Sequence, residues 1–190
     1  MSSEPLVSVV TPVYNTGEFL AECIESVLQQ SYQNWEYVIV NNCSTDNSLE
    51  IAESYSAADP RIRVVNTDRL LPLALNFNFA LRQIPPQSRY CKMVLADDGL
   101  FPTCLQDMVA LAETDDAIAI VGAYGLAGRG IESAGLLCAG PTRFTAVLSG
   151  REACRLFFLD SMYLFGTPTD RKSTRLNSSH SRASRMPSSA

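Results

Sequence analysis

The stretch "LVSVVTPVYNTGEFLAECIESVLQQSYQNWEYVIVNN", residues 6–42, decides the fold class. It opens with an apolar, mostly β-branched run that a Thr-Pro pair closes, which is the pattern of a buried strand ending in a loop. From Phe19 to Leu28 the apolar residues recur at helical spacing, so one face of a helix can pack on a sheet. A second apolar run, Trp35 to Val40, predicts the next strand. The stretch therefore predicts a strand–helix–strand unit with parallel strands.

The same alternation continues as far as Tyr124. Further strands are predicted at residues 61–67, 90–96 and 117–124, and further helices at residues 48–56, 73–84 and 103–113. This order of elements predicts an α/β fold with a mainly parallel sheet flanked by helices. After Tyr124 the pattern becomes Gly-rich and irregular until a short helix at residues 151–161. Two local details are also predicted: a capping box from Asn15 to Glu18, and an apolar side of the third helix that comprises Leu73, Phe77, Ala80, Leu81 and Ile84.

Length and composition are those of one globular domain with a sizeable core, since 46% of the 190 residues are hydrophobic and 18% are charged. No apolar run approaches the roughly 20 residues of a membrane span. The N-terminus lacks the basic segment of a secretory signal. Six scattered cysteines with no CxxC pair, and a single histidine, indicate buried thiols of a cytosolic protein instead of disulfides or a zinc site.

The charge is unevenly distributed along the chain. Residues 170–190 hold five basic residues and one acidic residue, which leaves a net charge of −9 for residues 1–169. Such an acidic body argues against nucleic-acid binding, because phosphate contacts need Lys and Arg. The tail at 170–190 is rich in Ser and Arg and is predicted to be disordered. It resembles a translated cloning adapter, so we predict one domain at residues 1–169 followed by a non-native tail; a basic binding arm is the alternative.

Two adjacent carboxylates, Asp97 and Asp98, directly follow the apolar strand in "KMVLADDGLFP", residues 92–102. Neighbouring negative charges at a strand end repel each other and cost desolvation energy unless a cation neutralises them. A hard divalent ion such as Mg²⁺ or Mn²⁺ does this and keeps positions open for substrate phosphates. The alternative is that one of the two acids caps the helix that starts near Thr103.

The residues that follow the other predicted strands are also polar or small, and they lie at 11–15, 41–46 and 66–68. The carboxyl ends of parallel strands share one edge of a sheet, which is where open α/β sheets bind ligands. No Gly-rich phosphate-binding loop follows the first strand. A nucleoside diphosphate at this edge would therefore have its phosphates held mainly by metal.

At this point the chain resembles the family 2 inverting glycosyltransferases, which have the GT-A (Rossmann-like) nucleotide-sugar-binding fold. The resemblance rests on the TPxYN loop at 11–15, on SVLxQ at 26–30, on "VNNCSTD" at 40–46 in place of VDDGSTD, and on "ADDGLFP" at 96–102 in the DXD region. It covers residues 5–169. The resemblance implies a GT-A domain whose C-terminal part is incomplete.

The resemblance also implies roles for individual residues. Thr11, Pro12 and Tyr14 would line the nucleobase and ribose pocket, although Tyr14 by itself reads as a half-buried loop aromatic. Asn41 stands where the family commonly has an Asp that accepts the uracil N–H, and its amide carbonyl can keep that contact. Asp46 matches the acid of the STD turn, with a helix N-cap as the structural alternative.

Four more positions are assigned through the resemblance. Asn76 and Asn78 form an NxN pattern, and being two apart on a helix they face different sides, so at most one meets the donor. Asp97 matches the last carboxylate of DXD, a metal ligand. Asp98 is a second metal ligand or a sugar contact. Leu95 occupies the first position of the motif, which weakens the match.

The implied function is transfer of a sugar from a nucleotide-sugar, UDP-linked in our prediction, to an acceptor hydroxyl by inverting displacement assisted by Mg²⁺ or Mn²⁺. The acceptor would be a carbohydrate or a lipid-linked group in polysaccharide biosynthesis, and the catalytic base is left unassigned. The location would be cytoplasmic, with a peripheral position at the inner membrane as an alternative. Two other functions stay open: a catalytically incomplete nucleotide-sugar-binding fragment, and a Mg²⁺-binding receiver-like signalling domain.

Overall fold

The computed structural model describes residues 4–116, 118, 120–121, 125–127, 135–137, 148–149, 151–152, 155 and 183–185. The helices and strands in chain order are β1 (Val7–Val13), α1 (Gly17–Leu28), β2 (Trp35–Asn41), α2 (Ser48–Ala58), β3 (Ile62–Asn66), α3 (Leu73–Leu81), β4 (Tyr90–Met93), α4 (Cys104–Ala112), β5 (Ile120–Val121), β6 (Gly125–Ala127), β7 (Gly135–Leu137) and β8 (Ala183–Arg185). The alternation of strands and helices predicted for the first half of the chain is confirmed.

The main sheet has the strand order β3-β2-β1-β4-β8-β5. Strands β3, β2, β1 and β4 pair in parallel, with Val7 opposite both Trp35 and Tyr90 at the start of the ladders. All seven residues of β1 are buried, as expected for a central strand covered on both faces. The predicted mainly parallel sheet is thus present, and its four parallel strands end at one common edge.

Two short pairings lie outside that predicted pattern. β6 and β7 form an antiparallel pair inside the region predicted to be irregular, where glycines weaken the strand pattern. β8 belongs to the segment predicted to be disordered, yet it pairs antiparallel with β4 and β5. An open strand edge offers unpaired N–H and C=O groups to any extended segment, whatever its side chains. The rest of residues 170–190 lies outside the described residues, so the domain boundary near residue 169 stays a prediction.

The two faces of the sheet are covered unequally. Alternate residues of β1 and β2, such as Val9 and Ile39, join a large core with α1, α2 and α4. The residues between them, Val10, Val38 and Val40, join a small core with Ala80 of α3. Three helices therefore cover one face, and among the described residues α3 is the one helix on the other face.

The predicted apolar side of α3 is only partly buried. Ala80 is buried and Ile84 is partly buried, but Leu73 and Leu81 are 58% and 39% exposed. Asn76, one turn before Ala80, is buried instead. Small and medium side chains at these two positions let the helix lie close to the valines of β1 and β2, and this turns the larger leucines outward. Apolar spacing alone could not distinguish the two sides, because α3 is apolar nearly all round.

Identical substitutions on α1 and α3 should differ in cost. Leu20 is fully buried in the large core and Leu73 is exposed. We expect Leu20→Ala to lower the free energy of unfolding by about 2–5 kcal/mol, and Leu73→Ala by less than about 0.5 kcal/mol. Urea denaturation of both variants and the parent chain measures the difference. Equal costs would show that Leu73 is packed, and would restore the side of α3 predicted from the sequence.

Candidate functional site

The candidate site lies at the edge where the parallel strands end. Since β1, β2, β3 and β4 run in the same direction, the segments that follow them share this edge. These segments are residues 14–16, 42–47, 67–72 and 94–103. They contain four of the nine site residues predicted from the sequence, namely Tyr14, Asp46, Asp97 and Asp98. The contacts between them show how the edge is organised.

The first loop is tied to the second by Asn15. The Thr45 N–H donates to Asn15 Oδ1 at 2.7 Å, Asn15 Nδ2 donates to Thr45 Oγ1 at 3.2 Å, and the Asn15 N–H donates to Ser44 Oγ at 3.1 Å. Asn15 has a φ of 51°, a left-handed conformation that asparagine tolerates better than most residues. The predicted capping box is wrong: α1 starts after Thr16, whose own side chain makes no capping bond, and Asn15 bonds across the loops instead.

Asp46 joins the N-termini of two helices. Its Oδ2 accepts the Gly17 N–H of α1 at 2.9 Å, and its Oδ1 accepts the Ser48 N–H of α2 at 3.0 Å. Partial burial acts to raise the pKa of Asp46, but the hydrogen bonds from Ser48 and Gly17 outweigh it, so the pKa lies below its ordinary value. A carboxylate at helix N-termini is stabilising. These contacts favour the structural role for Asp46, and its predicted contact with a nucleotide-sugar stays a prediction.

Gly17 leaves the space that this arrangement needs. A Cβ at residue 17 would lie 2.0 Å from Asn47 Oδ1 and 3.1 Å from Asp46 Oδ2. A larger residue would displace the Asn47 side chain and crowd the Asp46 carboxylate at the start of α1. The glycine of the TPVYNTG stretch therefore serves the close approach of the two loops.

Asn41 and Asn42 are both buried and hold the second and third loops together. Asn41 Nδ2 donates to Asn66 Oδ1 at 2.9 Å, and its Oδ1 accepts the Ser44 N–H at 3.1 Å. Asn42 Oδ1 accepts the Leu71 N–H at 2.8 Å, and its Nδ2 donates to the Leu71 carbonyl at 2.9 Å. The role of Asn42 was missed from the sequence, although an Asn pair at a strand end was a visible signal.

The three residues predicted to line a nucleobase pocket differ in exposure. Thr11 and Pro12 belong to β1 and are buried, and Thr11 Oγ1 shares a hydrogen bond of 2.8 Å with the Tyr37 hydroxyl. Tyr14 is 43% exposed, so among these three its side chain is the one presented at the edge. The predicted contacts of all three with a nucleotide stay predictions.

The NxN pattern on α3 is split as expected for residues two apart. Asn78 is exposed, whereas Asn76 is 3% exposed and lies in the first half of the helix. No hydrogen-bond partner for Asn76 Oδ1 is present among the described residues. A buried acceptor without a donor costs about 1–3 kcal/mol. Asn76 is thus the better placed of the two to meet a ligand, and that role stays a prediction.

Asp97 and Asp98 follow β4 on the same edge. Asp98 is 5% exposed and Asp97 is half-buried. α4 begins after Thr103, whose own side chain makes no capping bond. The capping role that the sequence offers as the alternative for one of the two acids stays a prediction. Both acids line a small cavity of about 30 Å³ together with Phe19, Glu22, Cys23, Ser26 and Gly99.

The electrostatics of this acid pair are unfavourable without a cation. The pKa of Asp98 is raised to about 8, mainly by burial and also by the charge of Asp97, while Lys92 offsets part of the effect. Lys92 is fully buried in β4, and burial lowers its pKa to about 8. Its Nζ lies 3.4 Å from Met108 Sδ. The sequence signal for this missed residue was a lone Lys inside an apolar strand.

The acid pair fits a divalent ion that takes its remaining ligands from elsewhere. Within the described residues no three His, Cys, Asp or Glu side chains gather into a metal-binding group. Mg²⁺ is usually held by one or two carboxylates plus waters and substrate phosphates. Two carboxylates, one of them partly open to solvent, provide this kind of incomplete shell.

A thiol lies beneath the acid pair. Cys23 Sγ donates to the Leu95 carbonyl at 3.4 Å and lies 3.6 Å from the Tyr37 hydroxyl. Burial raises the pKa of Cys23 to about 12. Cys23 therefore stays a neutral thiol and supports the turn after β4 without supplying a nucleophile.

Comparison with known proteins identifies the family. The model of the family described as "Glycosyl transferase family 2" matches residues 8–136. The chain belongs to glycosyltransferase family 2. This confirms the resemblance found in the sequence and rules out a receiver-like signalling domain.

Relatives and solved structures agree with that assignment. The chain is 34% identical over 119 residues to glycosyltransferase GlyG of Streptococcus pneumoniae, which covers 63% of this chain and 39% of that protein. It is 40% identical over 95 residues to the putative teichuronic acid biosynthesis glycosyltransferase TuaG of Bacillus subtilis, covering 50% and 37%. The chain thus spans about two fifths of the length of these relatives.

Two solved structures confirm the GT-A type of fold. S. aureus TarS 1–349 in complex with UDP superposes with a TM-score of 0.55 at 26% identity, covering 66% of this chain and 37% of that chain. The mannosyltransferase PcManGT from Pyrobaculum calidifontis, in complex with GDP-Man and Mn²⁺, gives a TM-score of 0.58 at 22% identity, covering 64% and 36%. The latter likeness shows the fold alone.

The left-handed conformation of Asn15 makes a testable difference between two small residues. Asn15→Ala removes the bonds to Thr45 and leaves a Cβ in the left-handed region, whereas Asn15→Gly removes the same bonds without that strain. We expect Asn15→Ala to be less stable than Asn15→Gly by about 1 kcal/mol. Denaturant unfolding measures the difference. Equal stability would show that the loop changes conformation once its side-chain bonds are lost.

The cap at Asp46 should show in the pH dependence of stability. Its pKa is lower in the folded state, so its charge stabilises the fold above the unfolded pKa, and this contribution is lost as pH falls through the folded value. We expect Asp46→Asn to cost about 0.3–1 kcal/mol near neutral pH, because the charge at two helix N-termini is lost, and to approach the parent chain in acid. Thermal unfolding across the acid range measures this, with exposed Asp68→Asn as control. A pH-independent gap would contradict the charge effect.

Proposed function

We propose that this family 2 domain is the donor-binding part of a glycosyltransferase whose donor is a UDP-linked sugar. The enzyme would transfer that sugar to an acceptor hydroxyl. The observation that carries the proposal is the pair Asp97 and Asp98 at the end of β4, beside loops that their own side chains hold in place. An organised edge with two adjacent carboxylates suits a ligand that carries both a ring system and a metal-bound diphosphate.

Asp97 and Asp98 would hold Mg²⁺ or Mn²⁺ together with the donor diphosphate. When bound, such an ion stabilises the negative charge that grows on the leaving diphosphate. The structural neighbour PcManGT was solved with GDP-Man and Mn²⁺, which supports a divalent ion here. The missing first acid of the DXD motif, replaced by Leu95, leaves these two carboxylates as the proposed protein ligands.

The nucleoside would lie against the loops after β1 and β2. Tyr14 offers an exposed ring that can stack on a base. Asn41 Oδ1 accepts one bond from Ser44, and its second lone pair can accept the N–H of uracil. The likeness to TarS, solved with UDP and with UDP-GlcNAc, supports a uracil nucleotide.

The transfer step would be an inverting displacement. The acceptor hydroxyl attacks the anomeric carbon from the side opposite the diphosphate and loses its proton to a carboxylate base. No base is assigned: Asp160 lies outside the described residues, and Glu152 is engaged with Arg155 at 2.9 Å. The acceptor would be a carbohydrate or a lipid-linked group, in keeping with the teichuronic acid pathway named for TuaG.

A donor-binding fragment without turnover is the second candidate function. It is favoured by the share of the relatives that this chain spans, about two fifths. Both candidates predict nucleotide binding, and only the first predicts formation of a glycosylated product. Incubation with UDP-sugars and a panel of carbohydrate and lipid-linked acceptors separates the two.

Calorimetric titration of UDP tests the donor site. We expect binding with Mn²⁺ that is lost in EDTA, and a loss of at least tenfold in affinity for Asp97→Asn, because one metal ligand loses its charge. Asp107→Asn, an exposed acid on α4, is the matched control and should bind as the parent chain does. Full Mn²⁺-dependent affinity in Asp97→Asn would remove the metal assignment. Binding of GDP in preference to UDP would overturn the uracil assignment at Asn41.

A further inference from the structure

The sequence separates acidic from basic residues along its first 116 positions. Residues 1–60 contain nine acidic residues and no basic ones, and residues 97–116 contain six acidic residues and again no basic ones. Between them, residues 61–96 contain six basic residues and one acid, Asp68. The positive charge of this part of the chain thus lies entirely in the segment that forms β3, α3 and β4.

The fold converts this separation into two different faces. Acidic side chains lie along α1, α2 and α4, for example Glu22, Glu53 and Asp107, which are exposed on the helices that cover one face of the sheet. α3 covers the other face and contains no charged residue of its own. The molecule therefore carries an acidic face and an opposite face built around α3.

Three arginines remain exposed around α3 after the other basic residues of the segment are accounted for. Arg61 pairs with Asp59, Arg89 pairs with Glu113 and Asp116, and Lys92 is buried. The three that remain are Arg63, Arg69 and Arg82, which are exposed and form no ion pair within the described part of the chain. Arg63 donates to the Gln83 carbonyl just beyond α3 at 2.8 Å, which places it on the α3 side.

Large apolar side chains are exposed on the same face. Leu70, Leu73, Leu75 and Leu81 are 54%, 58%, 52% and 39% exposed. Leu73 and Leu81 lie two turns apart on one side of α3, with the partly buried Phe77 between them. Of the other large apolar side chains in the described part of the chain, only Tyr14 and Leu148 are exposed to a comparable degree. A cluster of this kind marks an interaction surface.

We propose that this α3 face, comprising Arg63, Arg69, Leu70, Leu73, Leu75, Leu81 and Arg82, docks on the surface of an anionic lipid bilayer. Exposed leucines can enter the boundary between headgroups and acyl chains while flanking arginines meet lipid phosphates. The acidic helices lie on the opposite face, so repulsion from the bilayer orients the molecule with α3 toward it. α3 has nine residues, so the contact is short and reversible.

Charge favours a bilayer over a second copy of this chain as the occupant. A two-fold contact through the α3 face would place arginines of one copy against the same arginines of the other. Like charges in a contact of that kind disfavour association. An anionic surface instead satisfies the arginines and the leucines together. Docking would also bring the edge where α3 begins close to the lipid, which suits a lipid-linked acceptor if the proposed transferase function holds.

Vesicle co-sedimentation of the whole chain without nucleotide tests the docking. The chain should bind vesicles of phosphatidylcholine with phosphatidylglycerol more tightly than vesicles of phosphatidylcholine alone. Arg69→Gln with Arg82→Gln should weaken partitioning by roughly 30-fold, since each surface arginine contributes about 1 kcal/mol. Leu73→Ser with Leu81→Ser should weaken it by about tenfold or more. Glu53→Gln and Asp107→Asn, exposed on the helices of the opposite face, are the controls and should not weaken partitioning.

Two outcomes would overturn the proposal. Every variant retains residues 170–190, whose five basic residues also attract anionic vesicles, so equal binding by all variants would assign the attraction to that tail. A concentration-dependent dimer in sedimentation velocity that Leu73→Ser with Leu81→Ser dissolves would assign the face to a second copy. Circular dichroism confirms that the variants are folded. UDP titration of the same samples tests the donor site separately, because vesicle binding here needs no nucleotide.

Discussion

The parallel pairing of β1 with β2 on one side and β4 on the other is the constraint on which the rest of the structure depends. Because β1 is buried along its whole length and lies between these two strands, the segments that follow the parallel strands meet at one edge. Asn15, Asp46 and Asn42 then connect neighbouring segments through side-chain hydrogen bonds to backbone groups. Strand direction therefore determines where the candidate site lies, and individual side chains determine how its loops are held together.

The acid pair after β4 is the electrostatically unfavourable feature of this edge. Burial of Asp98 beside Asp97 disfavours its charged form, and the buried Lys92 compensates only in part. Local structure that violates the rules of stable packing commonly marks a functional site. This cost is the physical link between the family membership of the chain and the proposed metal-bound donor.

For the third helix, the sequence pattern does not predict which side faces the sheet. Its apolar residues go nearly all round, so spacing could not tell which side would meet the sheet. Asn76 and Ala80 are buried against the sheet, because their side chains let the helix lie close to it. Four leucines in or near α3 are exposed instead. Asn15 is a second example, because its side chain forms a hydrogen bond with Thr45 of the second loop instead of capping its own helix.

The sequence by itself determined the α/β order, the central strands, the family and the position of the acid pair, because these follow from local periodicity and from motifs read along one segment. Only the tertiary structure decided the partners of Asn15, Asn42 and Asp46, the burial of Lys92 and the outward leucines of α3. Each of these depends on segments 16 to 30 residues apart, or on opposite faces of the sheet, whose meeting no local pattern encodes. Long-range packing selects among side chains that look equivalent along the chain.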